Sequence, residues 1–83
     1  MKAVLNDPIK IAVIFSPQGI RPVWFIRRGQ RHHVTQVTMQ WQTQEGSASI
    51  LHVGATDGTH LFELALNQET LIWQLVSIET NGT

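Results

Sequence analysis

The residues best equipped for chemistry in this chain crowd around one glycine. Arg27 and Arg28 precede Gly29, Arg31, His32 and His33 follow it closely, and Trp24 stands just upstream. Guanidinium groups fork onto phosphate oxygens, and an indole face gives a nucleotide base a surface to stack on. Trp24, Arg27, Arg28, Arg31 and His33 are therefore a candidate anion or nucleic-acid contact. The same residues also suit a plain charged hairpin tip, which keeps a sheet edge soluble and unpaired.

Other chemistry finds less support. Adjacent His32 and His33 point to opposite faces of a strand, and their spacing to His52 and His60 matches no metal-ligand pattern. The chain has no cysteine, which excludes a disulfide framework, a zinc–thiolate site and a thiol nucleophile. His52 is expected opposite Glu63, a pairing with the composition of a general acid–base couple and the setting of a surface cross-strand pair. Ser16, Ser47, Ser49 and Ser77 lie in no nucleophile-elbow context, and no glycine loop is built to hold phosphate. The expectation is a non-enzymatic protein without metal or cofactor.

Strands must position the arginine cluster. Short alternating runs between turn residues, with no sustained helical period, specify an all-β fold: a six-stranded antiparallel meander curled into a small barrel or half-barrel. The first strand is expected over residues 9–15, turning at Ser16–Gly19 into the strand that carries Trp24. Gly29-Gln30 suits a two-residue turn with glycine first, setting Arg28 opposite Arg31 and Phe25 opposite Val34. A parity break between His32/Val34 and Val37/Met39/Trp41 calls for a bulge near Thr35-Gln36. Asp57-Gly58 then sets Val53 opposite Phe62, and a last turn at 67–70 sets Leu64 opposite Trp73. Ile9, Ile11, Val13, Phe15, Val23, Phe25, Val34, Val37, Met39, Trp41, Leu51, Val53, Phe62, Leu64, Leu66, Leu71, Trp73 and Leu75 face inward. Residues 1–7 and 79–83 are expected as loose ends.

With 83 residues there is room for one domain, and the net charge is zero. All six Lys and Arg lie in the first 31 residues, and five of six acids follow residue 44. Such a split can create a basic region, whereas interleaving of the two halves in a sheet would scatter it. MKAVLNDPIK lacks the apolar run of a signal peptide and no stretch is long enough to span a bilayer, so a soluble, cytoplasmic protein without membrane contact is expected.

The second sheet face is not uniformly polar. Trp24, Ile26, Ile50, Leu61, Ala65, Ile72, Val76 and Ile78 all fall on it. Leu61, Ala65, Ile72 and Val76, dense on the last hairpin, form a candidate interface for a protein partner or a second copy in a homodimer. The leading expectation is a small non-catalytic interaction or adapter module. Its alternative is a nucleic-acid-binding accessory module using the basic tip.

Pro22, Phe25, Arg28-Gly29, Val34 and Val37, Trp41, Asp57-Gly58, Trp73 and Leu75 together resemble the pattern of short, uncharacterised bacterial β-domains. Some of those resemble C-terminal extensions of translesion DNA polymerases. The likeness covers roughly residues 9–78 and implies a β-domain in nucleic-acid metabolism, with no site residues to carry over. His32 stands where that pattern has an aromatic, and Arg27 where it has tryptophan.

Overall fold

The computed structural model describes residues 1–80 and is antiparallel and all-β, as the strand pattern requires. Its strands are β1 (Lys2–Pro8), β2 (Lys10–Ser16), β3 (Gly19–Arg27), β4 (Gln30–His33), β5 (Gln36–Glu45), β6 (Ala48–Thr56), β7 (His60–Asn67) and β8 (Ile72–Thr80). They form a five-stranded sheet in the order β1-β8-β7-β6-β5 and a three-stranded sheet in the order β2-β3-β4. The meander survives in β5–β8, but the inner face is covered by a second layer rather than by closure into a barrel. Residues 1–7, expected to be loose, supply β1: Lys2 pairs with Glu79 and Val4 with Ser77, and Leu5 packs on the core. Glu79 and Thr80 complete β8, and the remainder of the expected C-terminal loose end lies outside the described residues.

Two corners carry the chain between layers. At the first, the Ile9 amide donates to the Trp73 carbonyl at 3.1 Å before Lys10 opens β2. At the second, the Val34 amide donates to Val23 of the three-stranded sheet (2.9 Å), and the next amide, Thr35, donates to Thr56 of the other sheet (2.8 Å). A single peptide step thus hands the strand across. The parity break between Val34 and Val37 is made by this corner rather than by the expected bulge at Thr35-Gln36. A bulge at Thr38, between the pairs Val37↔Ala55 and Met39↔Gly54, then reverses the strand again. The bulge turns Met39 and Trp41 to the outer face, correcting their inward assignment. Met39 is 59% exposed there and Trp41 stacks on His52.

The core joins Phe25 of the small sheet to Leu51, Val53, Ala55, Phe62, Leu64, Leu66, Trp73 and Leu75 of the large one, with Ile9, Ile11, Val13, Val34 and Val37 packed around it. Three hairpin registers differ from expectation, each by two residues. Arg28 (φ 52°) and Gly29 (φ 78°) are the central pair of the first turn, so Arg27 opposes Gln30 and Phe25 opposes His32. Positive φ at both positions makes this a type I′ turn, whose twist matches the strands. In the next hairpin the Asp57 carboxylate accepts the Thr59 and His60 amides (2.8 and 2.7 Å), lengthening the turn and pairing Val53 with Leu64. Asn67 does the same for the Glu69 and Thr70 amides, pairing Leu66 with Trp73. An even slip changes partners and leaves every face as it was.

Three further side chains depart from their expected faces. Phe15, one pair from its turn, lies beyond the cover of the facing sheet and is 73% exposed. Leu71 has φ 63° in the Asn67 turn and points to solvent. A bulge between the pairs Glu63↔Ser77 and Leu64↔Leu75 turns Ile78 inward, onto the core, instead of onto the outer face.

Candidate binding surfaces

The charge split along the sequence becomes a split between layers. Residues 9–35, which build the three-stranded sheet and its turns, contain Lys10, Arg21, Arg27, Arg28 and Arg31 and no acid. Every Asp and Glu lies outside that stretch, with Lys2 as the one remaining cation. The expected interleaving fails because β2, β3 and β4 are consecutive: one continuous piece of chain makes one whole layer.

The arginine cluster itself divides. Arg27 Nε donates to Asp7 Oδ2 at 2.7 Å, and Arg28 Nε lies 3.6 Å from the same oxygen. Arg27 is therefore already paired and mostly covered. Arg31 and His33 project from the outer face of the small sheet, where Arg31 Cζ sits 4.4 Å from the centroid of the Trp24 ring. Register places Lys10, Ile26 and Arg31 in one row across this face, Ala12, Trp24 and His33 in the next, and Ile14 with Arg21 beyond. Trp24, Arg31 and His33 thus come together with Lys10 and Arg21, and without Arg27.

His32 faces inward. Its ring stacks on Phe25 (4.9 Å between centroids) and meets the edge of Phe62 (5.6 Å), which in turn stacks with His60 (6.1 Å). Burial above all holds the His32 pKa below its ordinary value, and the His60 and Arg27 charges add to this against the pull of Asp57. Burial pushes the Asp57 carboxyl up, but the amides of His60 and Thr59 and the His60 ring, 3.1 Å away, outweigh it and hold it below the usual value. His32 and His60 gather on Phe62, with Asp57 on the His60 ring. They form a packed aromatic–imidazole column rather than an exposed site.

The outer face of the five-stranded sheet holds a second surface. A hollow of about 800 Å³ runs across it from Asn6 on β1 to Glu45 on β5. Ile50 and Ala65, 6% and 7% exposed, are sunk in its floor, and Ile72 and Val76 line it. Three of the four expected interface residues, Ala65, Ile72 and Val76, therefore meet in one place. Leu61, 40% exposed, sits apart in a smaller hollow beside Lys2 and Met39.

Within the large hollow His52 is held from both sides. Thr43 Oγ1 lies 2.7 Å from Nε2, Glu63 Oε2 lies 3.4 Å from Nδ1, and the Trp41 ring stacks over the imidazole at 5.0 Å. Glu63 is diagonal to His52, which opposes Ala65 directly. The Glu63 contact is within ion-pair distance but off the hydrogen-bond direction, so Nδ1 is buried without a hydrogen-bond partner. Hydroxyl, imidazole and carboxylate in this order are the parts of a nucleophile relay. Thr43, however, lies mid-strand opposite Ile50, not on the sharp turn that presents a nucleophile beside convergent amide donors. The arrangement acts as a polar brace between β5, β6 and β7.

The chain matches no family model, no curated protein and no solved structure. Among the described residues, no group of three His, Asp or Glu side chains is placed to share a metal ion, and no helix is long and apolar enough to cross a membrane. The surfaces themselves carry the functional reading. Lys10 and Arg21 are the members that the arginine-cluster reasoning missed. The acid-free run from residue 9 to 35 pointed to both, and strand parity to Lys10. Arg21, in step with Val23 and Phe25, reaches the outer face only through a bulge at Val23, between the pairs Ala12↔Trp24 and Val13↔Pro22.

Proposed function

We propose that this protein is a non-catalytic interaction module that docks a second copy of itself through the outer face of its five-stranded sheet. The carrying observation is the edge-to-edge hollow floored by Ile50 and Ala65, with Ile72 53% exposed at its side. Sheet geometry supports the size. Five strands at ~4.8 Å and about eight residues at ~3.3 Å give roughly 600 Å², against ~800 Å² per partner in a stable complex.

The layer that carries this face holds every acid of the chain against Lys2 as its one Lys or Arg. Long-range charge therefore does not draw a copy in, and the apolar floor must supply the attraction. Lys2 lies at one end of this face and Glu45 at the other. In a two-fold contact whose axis lies across the line joining them, Lys2 of each copy meets Glu45 of its partner. The cysteine-free composition suits a cytoplasmic setting, which belongs to the same proposal.

The test is solution mass by light scattering across a dilution series. The wild type is expected to approach twice the monomer mass as concentration rises. Ile72→Asp should hold it at the monomer mass, Leu61→Asp at the rim should weaken the dimer less, and Ile14→Asp on the opposite layer should leave it intact. A wild type that stays monomeric up to its solubility limit overturns self-association.

A further inference from the structure

We infer that the outer face of the three-stranded sheet is a binding surface for single-stranded nucleic acid. It lies on the opposite layer from the proposed dimer face and rests on separate observations. The acid-free stretch places Lys10, Arg21, Arg31 and His33, all exposed, on this one layer. Because Asp7 holds Arg27, and Arg28 stands out in the turn beyond the rows that carry Trp24, the cations placed around the indole stand on the sheet face rather than at the hairpin tip. Trp24 is the aromatic centre of that face, half-buried and fixed between Ala12 and His33 in its row.

The order of these groups matters. Lys10 and Arg31 share the row on one side of Trp24, and Arg21 lies on its other side along the strand direction. A strand of nucleic acid running along β3 can therefore place a base on the indole and phosphates on cations before and after it. Flat sheets that recognise nucleic acid work in this way, by stacking splayed bases on aromatics and tracking the backbone with positive charge. Among the described residues no helix is present to enter a duplex major groove. Arg31 already covers Trp24, but an exposed cation–π contact is weaker than a base–aromatic stack. A base can displace the guanidinium, which then remains close enough to meet the neighbouring phosphate.

The test is fluorescence anisotropy of a labelled single-stranded oligonucleotide titrated with full-length protein over a range of salt. With Lys10, Arg21 and Arg31 engaged, the slope of log affinity against log salt should be roughly −2. Arg31→Ala and Lys10→Ala should each weaken binding and flatten that slope, while Arg28→Ala at the tip should change neither. Trp24→Leu should cost roughly tenfold in affinity with the slope retained, and circular dichroism verifies that the variant is folded. No binding at low salt overturns the inference. So does binding that ignores Trp24→Leu and is equally strong for duplex or heparin, which would mark general polyanion attraction.

Discussion

Arg27 and Asp7 meet through a 2.7 Å hydrogen bond between Nε and Oδ2, joining the end of β3 to the corner where β1 gives way to β2. Both side chains are only about one-fifth exposed, at 23% and 21%. The contact does two things at once. It ties the small sheet to the large one, and it removes the tip arginine from the cationic face.

Asp7→Asn separates these roles. Losing a charged hydrogen bond at a partly covered site should lower stability by ~1–2 kcal/mol, read as a fall in the urea midpoint. The same variant releases Arg27 and Arg28 and should raise affinity for a single-stranded oligonucleotide. A variant with unchanged midpoint and unchanged affinity would show that the pair neither braces the corner nor withdraws charge.

Arg28 pays a conformational cost at φ 52°, in a turn whose partner Gly29 is at φ 78°. Asparagine tolerates that region far better than a long side chain, and Asn-Gly is the preferred type I′ pair. Its ion pair with Asp7 is long and 74% exposed on the Arg28 side, so little is lost with it. Arg28→Asn should therefore raise the denaturation midpoint, by ~0.5–1 kcal/mol. A lower midpoint would place the Asp7 contact above the backbone strain.

Gly54 is fixed by space rather than by φ. A Cβ built there would stand 2.8 Å from Thr38 Oγ1 and 3.3 Å from Met39 Cγ, against the bulge that reverses β5. Gly54→Val should destabilise by ~1–3 kcal/mol through overpacking. Adding Thr38→Ala should recover part of that loss, since it removes the nearest atom. Equal melting temperatures for the single and double variants would mean that the clash lies elsewhere.

Much of this architecture was legible in the residues because strand sidedness has period two. Leu51, Val53, Leu64, Leu66, Trp73 and Leu75 were placed inward from alternation alone, and they stay inward although all three hairpins slip, since each slip is even. Partners were less legible because the turns gain length from side chains. Asp57 and Asn67 each cap two backbone amides, which a two-residue turn rule ignores. Bulges at Thr38 and Val76 left almost no local signal, and they moved Trp41, Met39 and Ile78 across the sheet. The cationic layer was half legible. Its residue types were plain in the sequence, but Arg27 could be removed from it only by a partner twenty residues away.

Acidity should act on the aromatic–imidazole column first. Burial between Phe25 and Phe62 lowers the His32 pKa below its ordinary 6.5, so the folded state favours the neutral ring. The unfolded chain then binds the proton more readily, and stability rises with pH through this window. The contribution is complete above about pH 6.5, declines as pH falls toward the lowered folded value, and levels off beneath it. Asp57 acts later in the same direction: its folded pKa is depressed, so its contribution is present above its ordinary 3.8 and lost below that. Denaturation midpoints measured from about pH 7 to pH 4.5 should therefore fall in wild type before any carboxylate with an ordinary pKa is much protonated. His32→Phe keeps an aromatic ring against Phe25 and removes the titrating group, so its midpoint should stay flat over the upper part of that range. An acid-sensitive His32→Phe variant would assign the effect to another group and leave His32 as packing alone.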